Sequence, residues 1–231
     1  MAIKLIYWDI DGTLLYCGSA GSYALKNAFL RLYGIEDALT EVRVGSAMDA
    51  ELVRKVFDKY DISETEGPRF EITYLVELGK ELESMENKHV HPGVKELLAH
   101  KDFIHSLLTS NFRAGAYMKL GSVGLLQDDS GAPFFIGGGF GDHSGEKWDA
   151  ADRARTELKK ASGKEVRPEE VLIIGDSVYD INTARKCGYY VMSVGTGYTD
   201  AATLKAAMPD LWFDDLGDTD SVLQAIHTIS N

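Results

Sequence analysis

The chain has 231 residues, 45% hydrophobic and 26% charged, which suffices for one full core and a smaller second unit. A formal net charge of -12 argues against nucleic acid or an anionic membrane surface as partner, since both are held by Lys and Arg, so an anionic ligand has to be captured locally. Two cysteines, Cys17 and Cys187, make neither a disulfide framework nor a zinc site, and no apolar run nears the ~18 residues of a membrane span, so a soluble cytoplasmic protein is expected.

The first element is Ile-Lys-Leu-Ile-Tyr-Trp-Asp-Ile-Asp-Gly-Thr-Leu-Leu at 3–15, an apolar strand ending in two carboxylates. The run is too short for a signal peptide and is interrupted by Asp9 and Asp11. Residues i and i+2 of a strand share a face, so the two acids are expected to converge where the strand runs out into solvent. Acids that close repel, and a hard, oxygen-seeking cation such as Mg2+ relieves the conflict. An Asp-Gly hairpin turn is the simpler reading, but a helical pattern follows Leu15 rather than an alternating partner strand. A calcium loop from Asp9 fails, because Thr13 and Leu14 stand at its fifth and sixth positions.

Leu25, Ala28, Phe29 and Leu32 predict a helix over 20–33, stopped by Gly34. Asp49 is placed to cap a second helix, with Leu52, Val53, Val56, Phe57 and Tyr60 on one stripe. Residues 63–66 read as a capping box for a third, with Pro68 in its first turn and Leu75, Leu78, Leu82 and Met85 along one side. From Pro92 helix and strand alternate. Helices are expected at 94–99, 113–120, 148–161, 178–186, 200–207 and 219–229, and strands at 103–109, 134–136, 171–174, 190–194 and 211–213. The pattern predicts an α/β fold, a doubly wound, mostly parallel Rossmann-like sheet core formed by 1–15 and 89–231. Residues 16–88 are then an all-helical cap domain inserted near the carboxyl ends of the strands, where such sheets bind ligands, with hinges at 16–21 and 89–93.

Gly175-Asp176-Ser177-Val178-Tyr179-Asp180 follows a buried-looking strand. A helix N-cap explains it plainly, yet Asp176 is also the third carboxylate that an Asp9 and Asp11 pair needs to hold Mg2+. Asp180, one turn further, can bind through water or brace the site. Thr109-Ser110-Asn111 offers a hydroxyl and free amides to phosphate at a strand-to-helix junction, where capping again competes. Lys147 supplies the cation that offsets repulsion between carboxylates and a phosphoryl group, with Arg153 as its rival.

Asp9-Ile-Asp-Gly-Thr-Leu-Leu, Thr109 at a strand end, a basic residue, and Gly175-Asp-Ser-x-x-Asp180, in that order, resemble the four motifs of the haloacid dehalogenase superfamily. The resemblance implies a phosphatase with Asp9 as nucleophile and Asp11 as general acid and base. It also implies that Asp11 binds the metal through its backbone carbonyl, that Thr109 and Lys147 hold the phosphoryl oxygens beside Ser110 and Asn111, and that Asp176 completes the Mg2+ site. The helical insertion resembles the cap of phosphoglycolate phosphatase-like members. Arg43, Ser46 and Asp49 fall in a cap loop that similar proteins use for substrate recognition, and an ordinary N-cap loop explains them as well. The third motif departs from the usual Lys-Pro, because Trp148 follows Lys147.

The expected activity is Mg2+-dependent hydrolysis of a small phosphorylated metabolite by a monomer or homodimer, through an aspartyl phosphate on Asp9. Phosphoglycolate, sugar phosphates and nucleotide monophosphates all stay open as substrates. Asp11 is expected to begin proton-bearing, so that it can protonate the leaving alcohol. A β-phosphoglucomutase-like phosphomutase shares the nucleophile, but 16–88 contains no His. A dehalogenase needs neither the second Asp nor Mg2+. A non-catalytic module of the same fold is expected to lack one of Asp9, Asp11, Lys147 or Asp176, and all are present. A response-regulator receiver lacks a helical insertion after its first strand.

Overall fold

A computed structural model describes residues 2–40, 48–163 and 165–229. In chain order its strands are β1 (Leu5–Trp8), β2 (Leu15–Tyr16), β3 (His89–Val90), β4 (Ile104–Leu108), β5 (Gly138–Gly139), β6 (Val171–Gly175), β7 (Tyr190–Val194) and β8 (Leu211–Phe213). The helices are α1 (Ala20–Tyr33), α2 (Asp49–Lys59), α3 (Gly67–Ser84), α4 (Val94–Leu98), α5 (Arg113–Ser122), α6 (Lys147–Ser162), α7 (Val178–Cys187), α8 (Ala201–Ala206) and α9 (Thr219–Ile229). Among the described residues no helix is long and apolar enough to cross a membrane.

β1 reads Leu-Ile-Tyr-Trp, without alternation, and all four residues are buried, as a strand covered on both faces requires. Each such side chain contributes roughly 1.5–3 kcal/mol by leaving water. The strand lies inside a six-stranded parallel sheet of order β5-β4-β1-β6-β7-β8, with Leu5 opposite Ile104 on one side and Val171 on the other. Ile6 and Trp8 join an apolar layer with Leu97, Leu120 and Val222, while Leu5 and Tyr7 join the opposite layer with Ala150, Ile173 and Ile181. The chain builds outward from β1 to β5, then returns to fill the other side. The reversal falls beside β1, and a crevice at the carboxyl edge follows from it.

Between β2 and β3 the helices pack through aromatic rings: Phe29 of α1 lies 4.3 Å from Phe70 of α3, and Phe57 of α2 meets both edge-on. Gly34 ends α1 in a left-handed conformation, its N–H donating to the Leu30 carbonyl. In place of the expected capping box, Ser63 Oγ accepts from Thr65 N–H in a short 3-10 turn, and α3 starts at Gly67 with Pro68 in its first turn. A feature absent from the sequence reading is the antiparallel pair β2 and β3, which ties the two chain crossings together with Tyr16 stacked on His89 at 5.4 Å. The strand expected at 134–136 is also displaced. Gly138 and Gly139 form β5 instead, because a Cβ on Gly138 would lie 2.4 Å from the Leu107 carbonyl oxygen and only glycine allows that approach.

Asp49 does not cap α2, whose N-cap is Met48. The first amides of a helix have no partner within it, and here the core supplies them: Asp49 N–H donates to Ser110 O and Ala50 N–H to Gly141 O, each at 2.9 Å. The Asp49 carboxylate turns to the core as well and accepts from Phe112 N–H at 2.9 Å. Burial, opposed by Lys119 and by that hydrogen bond, pushes its pKa up to about 7. A carboxyl whose folded pKa is raised stabilises the fold fully below its unfolded value, and the contribution is lost as pH rises through the folded one. Asp49→Asn retains an acceptor for Phe112 and removes this dependence. In urea titrations it should match the parent near pH 4 and become the more stable of the two, by about 1–2 kcal/mol, above pH 7. A stability difference independent of pH would contradict the buried carboxyl.

Candidate active site

β1, β4 and β6 lie side by side, so the residues leaving their carboxyl ends meet: Asp9, Thr109 and Asp176. Asp9 N–H still donates to Ile174 O of β6 at 3.0 Å, after which the chain turns through Gly12 with a φ of 78°. A Cβ on Gly12 would lie 2.6 Å from Asp176 Oδ2 and 2.7 Å from the Gly197 Cα, and one on Gly197 would overlap the same carboxylate. Both positions therefore require glycine. Thr196 Oγ1 donates to the Gly12 carbonyl at 2.6 Å and fixes the turn.

Lys147 is the first residue of α6, where a cation opposes the helix dipole. Its Nζ donates to Asp180 Oδ1 at 2.7 Å and lies 3.1 Å from Asp9 Oδ1. Burial works against the ammonium, but Asp180 and Asp9 outweigh it and raise the Lys147 pKa. Arg153, its rival in the sequence, is exposed on α6. Ser177 N–H and Oγ both donate to Asp180 Oδ2, at 3.1 and 2.5 Å, and Ser177 Oγ accepts from Asp180 N–H. The capping reading thus holds for Ser177 and Asp180, while Asp176 is left to face Asp9.

Asp9, Asp176 and Asp180 each bring a carboxylate oxygen within 4.8 Å of the others. Burial first raises the pKa values of Asp9 and Asp176; Lys147 opposes the shift, while neighbouring carboxylates add to it, Asp180 and Asp11 for Asp9, and Asp9 and Asp180 for Asp176. Three hard oxygen donors against one ammonium fit a small divalent cation, which would relieve both effects. The Asp11 carboxylate stands outside this group, leaving its backbone carbonyl as what it can offer a metal.

Asp11 is engaged elsewhere. Its Oδ2 accepts from Lys119 Nζ at 2.6 Å and from Asn111 Nδ2 at 2.8 Å, while Cys17 Sγ lies 3.2 Å from Oδ1. Burial would raise the Asp11 pKa, but Lys119 and Asn111 outweigh it and hold the carboxyl below its usual value. The acid expected to begin proton-bearing therefore rests as a carboxylate. Burial keeps Cys17 a thiol, its pKa pushed up to about 12.

Thr109 is fully buried, and its Oγ1 accepts from Asn111 N–H and Nδ2, leaving the hydroxyl proton to donate. The Asn111 side chain is spent on Thr109, Asp11 and Lys119, and so supports its neighbours rather than presenting a free amide to phosphate. Ser110 and Asp49 line the same cavity of ≈ 800 Å³ as Asp9, Asp11, Lys147 and Asp176, with Leu25, Leu52 and Tyr74 as its apolar wall. Arg43 and Ser46 lie outside the described residues. Lys119 was not anticipated, although a signal existed: it shares the buried face of α5 with Gly115, Ala116 and Leu120.

Comparison with known proteins identifies relatives of the chain. The chain is 27% identical over 210 residues to a phosphoglycolate phosphatase of Chromobacterium violaceum, covering 88% of this chain and 90% of that protein. It is 27% identical over 224 residues to one of Vibrio cholerae, covering 94% and 95%. The crystal structure of CbbY from Rhodobacter sphaeroides in complex with phosphate superposes with a TM-score of 0.69 at 19% identity, covering 94% of this chain and 96% of that one, and shares the fold. A family model for haloacid dehalogenase-like hydrolases matches residues 3–188, and the chain belongs to that family.

Proposed function

We propose that the chain is a Mg2+-dependent phosphatase that hydrolyses a small phosphomonoester through an aspartyl phosphate on Asp9, with 16–88 acting as a cap over the site. The observation that carries this reading is the position of Asp9 in the cavity, 3.1 Å from Lys147 Nζ and next to the Thr109 strand end. The names of its relatives support the same reading.

Asp9 attacks phosphorus in line, and the bond from phosphorus to the leaving oxygen breaks as Asp11 passes it a proton. Water then attacks the acyl phosphate, Asp11 takes a proton from it, and inorganic phosphate leaves with Asp9 restored. Because Asp11 rests as a carboxylate on Lys119, the proton for the first half enters with the phosphomonoester monoanion and passes to Asp11 on binding, and the proton taken from water in the second half leaves with inorganic phosphate. Thr109 and Lys147 hold the phosphoryl oxygens. Asp9, Asp176 and the Asp11 carbonyl would hold Mg2+, braced by Asp180, and the ion would supply charge neutralisation for the transferring phosphoryl group.

Asp9→Asn should lower kcat on p-nitrophenyl phosphate by ~10³-fold or more, and acid-quenched enzyme should lose its covalent phosphate label. Ordinary turnover by this variant would remove Asp9 as nucleophile. Chelation should abolish activity and Mg2+ restore it. In calorimetry Mg2+ should raise Tm by several degrees, because it binds only the folded chain. Asp176→Asn should raise the metal-free Tm by relieving repulsion and erase the Mg2+ shift. A parent Tm indifferent to Mg2+ would take the cation out of the reading.

A further inference from the structure

Asp11 needs one oxygen aimed at the leaving group and a way to keep it there, and its two oxygens are held very differently. Oδ2 receives two strong donors, Lys119 Nζ at 2.6 Å and Asn111 Nδ2 at 2.8 Å. Among the described residues Oδ1 receives only the Cys17 thiol at 3.2 Å, a weak donor. The Lys119 side chain is 4% exposed, and its ammonium is fixed in turn by Asn111 Oδ1 at 2.7 Å, so the three groups form a closed triangle around one oxygen. A Cβ on Gly21 would lie 3.0 Å from Lys119 Nζ, and the missing side chain leaves the ammonium its room.

Resting on the phosphatase reading above, we propose that Lys119 is a positioning residue: with Asn111 it locks Asp11 Oδ2, so that Oδ1 is the atom that passes the proton in both half-reactions. In the first, Oδ1–H gives its proton to the leaving oxygen as the bond to phosphorus breaks. In the second, Oδ1 takes the proton of the attacking water as the new bond to phosphorus forms. Lys119 also lines the cavity, and in this role it acts through Asp11 rather than on the phosphorus. Its paired ammonium is a cost that a Lys in a buried helix face would not otherwise carry.

The test compares two probes that differ in how far their leaving group needs a proton, p-nitrophenyl phosphate and phenyl phosphate, in single-turnover release of the phenol. Lys119→Met is expected to slow release from phenyl phosphate by ~10²-fold and from p-nitrophenyl phosphate by no more than about 3-fold, as is Asp11→Asn. The double variant should be no slower than Asp11→Asn alone, because the two act as one unit. A merely structural role would slow both probes alike. Equal losses on the two probes, or a double variant slower by the product of the single factors, would overturn the assignment. If Lys119→Met does not fold by circular dichroism, Asn111→Ala removes the other donor to the same oxygen and is read against the same two outcomes. The underlying reading is checked apart from this: if folded parent enzyme and Asp9→Asn release phenol equally, the phosphatase is wrong rather than the role of Lys119.

Discussion

Asp9 and Asp176, at the ends of two neighbouring buried strands, and Asp180, in the first turn of α7, each bring a carboxylate oxygen within 4.8 Å of the others, and Lys147 is the ammonium set among them. Much of the surrounding structure follows from making that crowding tolerable. Lys147 sits at the amino end of α6, against the helix dipole, because two carboxylates repay the cost. Ser177 saturates the far oxygen of Asp180, leaving Asp176 turned inward. Gly12 and Gly197 have no side chain because the Asp176 carboxylate occupies the space that a Cβ would need.

Asp11 belongs to a second and separate balance. The i and i+2 rule placed it on the same face as Asp9, but β1 ends at Trp8, and beyond it the chain no longer follows strand geometry. The two acids consequently part, Asp9 to Lys147 and Asp11 to Lys119. Their coexistence, which suggested a cation between them, is settled by an ammonium for each. Asp180 shares Lys147, so the remaining excess of negative charge lies with the cluster of Asp9, Asp176 and Asp180.

The fold was legible where apolar content was high. β1, β4, β6 and β7 are uninterrupted apolar or nearly apolar runs, and the intervening helices carry clear stripes, so their order alone implied a parallel sheet. It failed where structure came from the absence of a side chain, as in β5, since glycine carries no periodic signal. The first and fourth motifs were readable because Asp9 and Asp176 each follow a strand directly and Asp180 falls in the first turn of the helix after β6. Lys119 was not, because a helical Lys ordinarily reads as solvated, and only its phase against Ala116 and Leu120 marks it as buried. Asn111 was found by position but given the wrong partners, since its amide serves Asp11 and Thr109.

The placement of β1 also bears on how the molecule is made. It precedes both strands that flank it, and its pairing with β4 and β6 closes very long loops. Until β6 has formed, Leu5, Ile6, Tyr7 and Trp8 present an apolar ribbon with an open edge, the kind of segment that pairs with copies of itself. Asp9 and Asp11 close that ribbon with charge. The acids argued to do the chemistry are thus also gatekeepers during folding, and neutralising them risks aggregation of the nascent chain quite apart from any effect on the finished site.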